Sequence, residues 1–207
     1  MFWESRIERL AARRDVNGLA RWVAHDNFLV AQRAVEALAA IGDASSTPVL
    51  VTAALRRNRL GDETGASDAA VAALAAFGDA RAIPTLVAAM DGRDQVPRTQ
   101  AAEGLQRLGW QPVGIAQETL FRCCLGDWEG AAAAGDAAVS LLIRFLPVDP
   151  ERVAVQLVRI GSPRAAAALG HSLMSAPLAD RAATACLWAL ARIGGPIARE
   201  VLVTLVD

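Results

Sequence analysis

The chain has 207 residues, of which 54% are apolar and 5% aromatic, and it contains no Tyr. Its 21 basic residues are all Arg and are balanced by 22 acidic residues, which gives a net charge of −1. A chain of this length can bury a sizeable core, and its Ala-rich composition favours close-packed helices. The balanced charge argues against non-specific binding of nucleic acid, which requires an excess of basic residues.

The cysteines and the apolar segments bear on cellular location. Cys123, Cys124 and Cys186 have no spacing typical of metal ligands, and such a sparse, odd set is typical of a reducing compartment. Glu4 and Arg6 interrupt the N-terminal segment before an apolar signal-peptide core could form. No uncharged run reaches the roughly 18 to 20 residues that a membrane helix requires. We therefore expect a cytoplasmic protein without a membrane segment.

The chain begins with a predicted helix pair over residues 1–28. Apolar residues recur at helical spacing over 4–14, and Asp15 can cap a second helix that carries Trp22. This pair diverges from the later repeats, as terminal units of helical arrays usually do. Because it lies at the end of the array, Trp22 is a candidate for an exposed contact.

Two near-identical segments follow the N-terminal pair. Residues 35–50 read VEALAAIGDASSTPVL and residues 71–86 read VAALAAFGDARAIPTL, so that 10 of 16 positions are identical at an offset of 36. Self-similarity at a period of 20 to 50 residues is typical of stacked-repeat proteins. The two segments therefore predict a helical array.

A shorter motif marks the end of one helix in each repeat: Leu, two residues, a bulky apolar residue and Gly. The two apolar residues share a helix face, and Gly ends the helix at a left-handed position with little steric cost. Asp43 and Asp79 then follow as candidate N-caps, with Pro48 and Pro84 near the start of the next helix. The motif occurs at Leu38–Gly42, Leu74–Gly78, Leu105–Gly109, Leu157–Gly161 and Leu190–Gly194.

Unequal spacing of these motifs predicts a loop and an insertion. Residues 58–67 form a polar loop between units, and residues 109–135 contain an extra segment with a helix centred on 115–125. We expect Trp110 and Trp128 to clamp this segment onto the array. The remaining predicted helix pairs are 150–160 with 163–175, and 179–193 with 196–206.

The repeats resemble short bacterial HEAT-like repeats of the phycobilisome-lyase type, in which an Ala-rich helix is followed by Gly-Asp and Ala-x-Pro-x-Leu. The resemblance covers about residues 30 to 206. It implies an all-α fold, namely an α-solenoid of stacked antiparallel helix pairs with about six units. We expect one domain over residues 1–207. Arg98 alone matches the Arg that this family often carries seven residues before the motif Leu.

Candidates for catalysis are few in this sequence. His25 and His171 are far apart in the repeat order, and repeat units contact mainly their neighbours. HEAT-repeat hydroxylases of the deoxyhypusine type hold iron with His-Glu pairs, and no His-Glu dipeptide occurs here. Cys123 and Cys124 lie in an apolar helix, where we expect burial as small hydrophobic residues. The sequence favours a non-enzymatic role, without catalytic residues, metal ligands or a cofactor.

The function predicted from the sequence is a scaffold or adaptor that binds a protein or peptide. The resemblance implies that second helices line a concave face, which would place Thr52 and Met90 there together with several Arg residues. The candidate partner-binding residues are Arg56, Arg57, Arg59, Arg93, Arg122 and Trp22. Trp188 is expected in the core. Alternatives are a phycobilin-lyase-like accessory subunit, which the resemblance implies, and a HEAT-like nucleic-acid-binding protein.

The C-terminal segment 201–207 is an apolar helix end without a polar capping unit. Because the end of a solenoid normally needs a polar outer face, we expect one of two arrangements. Either self-association covers this helix, or its outer side is only moderately apolar.

Overall fold

The computed structural model describes residues 2–56, 65–92, 95–175 and 180–204, and it divides the chain into two compact units. The first unit spans Met1–Gln111 and the second spans Pro112–Asp207. The residues that the structure describes form α-helices, short 3-10 turns and connections, with no β-strand. The predicted all-α fold class is confirmed.

The first unit contains seven α-helices within its described residues. They are α1 (Phe2–Ala12), α2 (Val16–Val23), α3 (Phe28–Ile41), α4 (Thr47–Ala54), α5 (Gly65–Phe77), α6 (Ile83–Met90) and α7 (Gln95–Arg107). The odd-numbered helices α1, α3, α5 and α7 pack side by side in one layer, and α2, α4 and α6 form the second layer. Each second-layer helix packs on the first-layer helix of the following repeat, as in an α-solenoid.

The second unit contains seven further α-helices among the residues described. They are α8 (Gly114–Cys124), α9 (Trp128–Ala132), α10 (Val139–Phe145), α11 (Pro150–Ile160), α12 (Pro163–Ser175), α13 (Asp180–Ile193) and α14 (Gly195–Thr204). Here α9, α11 and α13 form one layer, and α8, α10, α12 and α14 form the other. The helix α8 lies where the sequence predicts a helix in the insertion, and it packs within the second layer next to α10.

The Leu and the Gly of the five motifs have the positions that the sequence predicts. All five motif leucines are fully buried. All five motif glycines are left-handed, with φ between 62° and 70°. At Gly42 and Gly161 this conformation lets the amide donate to the carbonyl of the motif Leu four residues earlier. The repeated motif therefore combines a core anchor with a helix stop.

Asp43 and Asp79, predicted as N-caps of α4 and α6, instead cap short 3-10 turns that precede these helices. Asp43 accepts a hydrogen bond from the Ser45 amide at 2.8 Å and caps a 3-10 turn over Ala44–Ser46 that precedes α4. Asp79 has the same role for the turn Ala80–Ala82 before α6. The predicted prolines do lie in the first turns of α4 and α6.

Polar contacts join the two near-identical repeats. The Thr47 hydroxyl donates to Asp79 Oδ2 at 2.8 Å, and Arg81 Nη2 donates to the Ala44 carbonyl at 2.9 Å. Hydrogen bonds from Arg81 also hold the pKa of Asp79 far below its ordinary value. Asp79 is therefore both a cap and a link between the two repeats.

Two predictions concern the loop over 58–67 and the C-terminal helix. The helix α5 begins at Gly65, inside the loop predicted over 58–67, while residues 57–64 are not described. At the C-terminus, α14 exposes Val203 and buries Ala198. Self-association through this helix remains a prediction.

Candidate binding groove

Arg56 is held within the first unit. It lies at the end of α4, is half-buried, and donates through Nη1 to the Val23 carbonyl at the end of α2. Carbonyls at a helix C-terminus lack partners inside the helix, so a cation there has a structural role. Arg57, Arg59 and Arg93 lie outside the described residues.

Arg122 has two carboxylate partners inside the second unit. Its guanidinium lies 2.8 Å from Glu118 and 2.9 Å from Asp127, measured between the paired nitrogen and oxygen atoms. Hydrogen bonds to Glu118 and then Asp127 raise the pKa of Arg122 above its ordinary value. Asp127 in turn caps α9 by accepting from the Gly130 amide at 2.9 Å. The Arg122 charge is thus used within the fold.

Trp22 is half-buried, and its ring contacts the side chains of Arg6 and His25. The Arg6 guanidinium carbon lies 6.0 Å from its ring centroid, and the His25 ring stacks on it at 5.9 Å with an interplanar angle of 8°. The backbone N–H of Asn27 donates to His25 Nδ1 at 3.0 Å. Trp22 therefore stabilises the corner between α2 and α3, and only part of its surface is open.

The predicted second-layer surface and the tryptophan in α13 require corrections. Met90, expected on a binding surface, is only 1% exposed because it packs in the core. Trp188, expected in the core, is 43% exposed. The Arg192 guanidinium carbon lies 5.6 Å from the Trp188 ring centroid. Because Trp188 is exposed and lies beside a cation, it is a candidate contact residue, which a buried Trp would not be.

Trp188 lines an open groove between α11 and α13. The groove has a volume of about 430 Å³, and its other lining residues are Glu151, Ala154, Val155, Arg181, Thr184 and Ala185. Val155 is 41% exposed, while Ala154 and Ala185 form a buried floor. An ion pair between Arg181 and Glu151, 2.7 Å long, spans the groove near the start of both helices. The groove is therefore apolar along its centre and charged at one end.

A second groove lies on the other side of α11, next to α9. It has a volume of about 370 Å³ and shares Glu151 and Val155 with the first groove. Its wall includes Trp128, which is buried, donates from Nε1 to Asp149 Oδ2 at 3.1 Å and packs edge-on against Phe145. Trp128 thus has the structural role that the sequence predicts for it. Trp110 lies in the other unit, so a joint clamp remains a prediction.

The cysteines are packed side chains. Cys123, Cys124 and Cys186 are all buried, as expected for the first two. Burial raises the pKa of Cys123 to about 12 and that of Cys186 to about 11. Thiols with such pKa values carry little thiolate at neutral pH. In the described part of the chain, no group of three His, Cys, Asp or Glu side chains is placed to hold a metal ion.

Comparisons with known proteins address the fold. A family model described as HEAT repeats matches residues 16–106, which supports a HEAT-repeat protein but not the phycobilisome-lyase type specifically. The structure of human deoxyhypusine hydroxylase in complex with glycerol is 16% identical, with a TM-score of 0.38, and the alignment covers 93% of this chain and 78% of that chain. No curated protein sequence matches the chain. Among the described residues, no helix is both long and apolar enough to cross a membrane.

Proposed function

We propose that this protein is a helical-repeat scaffold that binds a short segment of a partner protein in the groove between α11 and α13. The observation that carries the proposal is the exposed Trp188, set over the floor of Ala154 and Ala185. Large exposed apolar side chains in a concave site are the usual anchors of protein interfaces.

The shape of the surface favours a chain segment as the occupant. Val155 forms a ridge between two adjoining grooves, and both grooves are open to solvent along the same helix layer. A volume of about 430 Å³ accommodates a few side chains. Neighbouring side chains of one peptide could lie in the two grooves on either side of α11. A helical peptide suits this arrangement, because helix-in-groove binding uses apolar anchors at regular spacing.

The groove is held by contacts that do not require a partner. The buried Val153 and Leu157 anchor α11 in the core, while Ala189 and Leu190 anchor α13. The Arg181–Glu151 ion pair joins the two helices across the groove. A binding site that exists before its ligand arrives loses less conformational entropy on binding.

A random peptide library displayed on phage tests this proposal. The library is selected on the immobilised full chain, and enriched peptides are synthesised and titrated by fluorescence anisotropy. We expect enriched peptides that bind the wild type and lose affinity for Trp188→Ala and Val155→Glu. The control Leu187→Ala changes an exposed residue beside Trp188 that does not line the groove, so it should bind like the wild type.

Circular dichroism and thermal unfolding establish that each variant is folded before binding is compared. Failure to enrich any peptide would contradict the proposal. It would also be contradicted by peptides that bind folded Trp188→Ala and Val155→Glu as tightly as the wild type.

A further inference from the structure

We infer that the segment bound between α11 and α13 carries an acidic side chain next to its apolar anchor. This inference rests on the proposed function and concerns the chemistry of the partner. The feature that carries it is the pairing of Arg192 with Trp188 at the edge of the groove.

Arg192 differs from the other arginines around the two grooves. Arg181 is paired with Glu151 at 2.7 Å, Arg159 with Glu129 at 2.8 Å, and Arg152 with Asp149 at the longer distance of 3.8 Å. Within the described part of the chain, Arg192 has its ring contact with Trp188 and no carboxylate partner. Its charge is therefore available to a ligand that reaches Trp188.

The position of Arg192 in its helix places it next to Trp188. It lies in the last turn of α13, where the helix dipole favours a cation. Arg192 also follows Trp188 by four residues, and this spacing makes the two side chains neighbours on one helix face, with the guanidinium carbon 5.6 Å from the centroid of the ring that lines the groove. In that placement a cation and an apolar surface are presented together at one site.

Charge complementarity then selects the occupant. An apolar side chain that covers Trp188 brings its neighbouring residues close to Arg192, and a carboxylate there forms a charge-assisted hydrogen bond. A basic residue at the same place is repelled. The Glu151–Arg181 pair at the other end adds no net charge. The occupant is thus an apolar segment with an Asp or Glu within about one helical turn of its anchor.

Charge reversal at Arg192 tests the inference with the same phage library. Selection on the wild type should enrich peptides with an acidic residue beside an apolar one, and selection on Arg192→Glu should lose that acidic preference. For a synthetic wild-type-selected peptide, we expect Arg192→Glu to weaken affinity about tenfold. The control Arg164→Glu makes the same charge change at an exposed site on α12 and should leave affinity unchanged.

The outcomes separate this inference from the proposed function. Peptides that require Trp188 but bind Arg192→Glu as tightly as the wild type would overturn the inference alone. Peptides that do not require Trp188 would overturn the proposed function and the inference with it. Sedimentation of the free protein provides a further check: a dimer that Trp188→Ala dissociates would make a second copy the occupant and overturn the inference.

Discussion

Two grooves, one in each unit, lie between neighbouring helices of the same layer, and they have similar sizes but different lining residues. The groove between α1 and α3 has a volume of about 450 Å³, and that between α11 and α13 about 430 Å³. Each is lined by a Trp, Trp3 in the first and Trp188 in the second. The first, however, has four charged side chains among eight lining residues, while the second has two among seven, and those two pair with each other.

The comparison teaches that repeat packing makes grooves, while the side chains that differ between repeats decide what a groove can bind. Glu4, Glu8 and Glu36 give the α1–α3 groove a polar lining that water can solvate. The α11–α13 groove keeps an apolar centre that gains free energy when it is covered. The following variants sharpen or break this contrast, beginning with the largest effect.

The cores beneath the two grooves should be equivalent. Leu38 in α3 and Leu157 in α11 are both fully buried motif residues. Replacing either by Ala removes buried methyl groups and leaves a cavity, so each variant should lower the free energy of unfolding by about 2–5 kcal/mol. Urea denaturation measures this change, with Leu187→Ala as an exposed control. A loss for one of the two below about 1 kcal/mol would show that the floors are not equivalent.

The side chains that line the two grooves should contribute differently to peptide binding. For a phage-selected peptide, Trp188→Ala should weaken affinity by about 30-fold, because a central Trp contact typically contributes 2 kcal/mol or more. Trp3→Ala removes the matching side chain from the charged groove and should leave affinity unchanged. Fluorescence anisotropy measures both. Equal losses for the two variants would remove the distinction between the grooves.

The glycines that end α3 and α11, next to the two grooves, should differ slightly in how much stability their replacement by Ala costs. Gly42 and Gly161 have φ of 70° and 62°, and this region costs other residues roughly 1–2 kcal/mol. A Cβ at Gly42 would meet open space, whereas one at Gly161 would lie 3.3 Å from the Val158 carbonyl. Thermal unfolding should therefore show a loss of stability for both Ala variants and a larger loss for Gly161→Ala. The reverse order would contradict this explanation.

The ion pair across the α11–α13 groove should give the smallest effect. Arg181 lowers the pKa of Glu151 below its ordinary value near 4.5, so the pair contributes stability above that pH and loses it as pH falls through the lower folded-state pKa. Both side chains are more than half exposed, so the contribution is small. The thermal midpoint of the wild type should exceed that of Glu151→Gln at pH 7, and the difference should shrink in acid. Arg181→Gln should behave like Glu151→Gln, and a difference that grows in acid would contradict the assignment.

Most of the fold could be predicted because its determinants are local. The motif Leu, the terminal Gly and the following Asp each act within a few residues of chain, so their spacing in the sequence is sufficient. Predicted limits of 150–160 and 163–175 agree with the observed α11 and α12. A structural role for Arg56 at a helix C-terminus can be inferred from the sequence, but its acceptor cannot, since the Val23 carbonyl belongs to another helix 33 residues away.

The apolar character of α13 predicts a buried Trp188 and so hides the groove, whereas the position of Trp188 around the helix indicates exposure. Leu190 and Ile193 in the motif define the face of the helix that packs inward. Trp188 lies two residues before Leu190, which places it roughly 200° around the helix from that side chain. The angle around the helix, counted from the buried Leu190, is thus the sequence signal that places Trp188 on the outer face.

The most direct test of the central claim is the indole N–H region of the NMR spectrum, recorded while a phage-selected peptide is added. The five Trp residues give separate probes in the two units. Trp188→Phe and Trp3→Phe assign the two signals that matter. The proposal predicts that the Trp188 signal shifts as peptide binds while the Trp3 signal stays in place. A shift at Trp3 without one at Trp188 would contradict it.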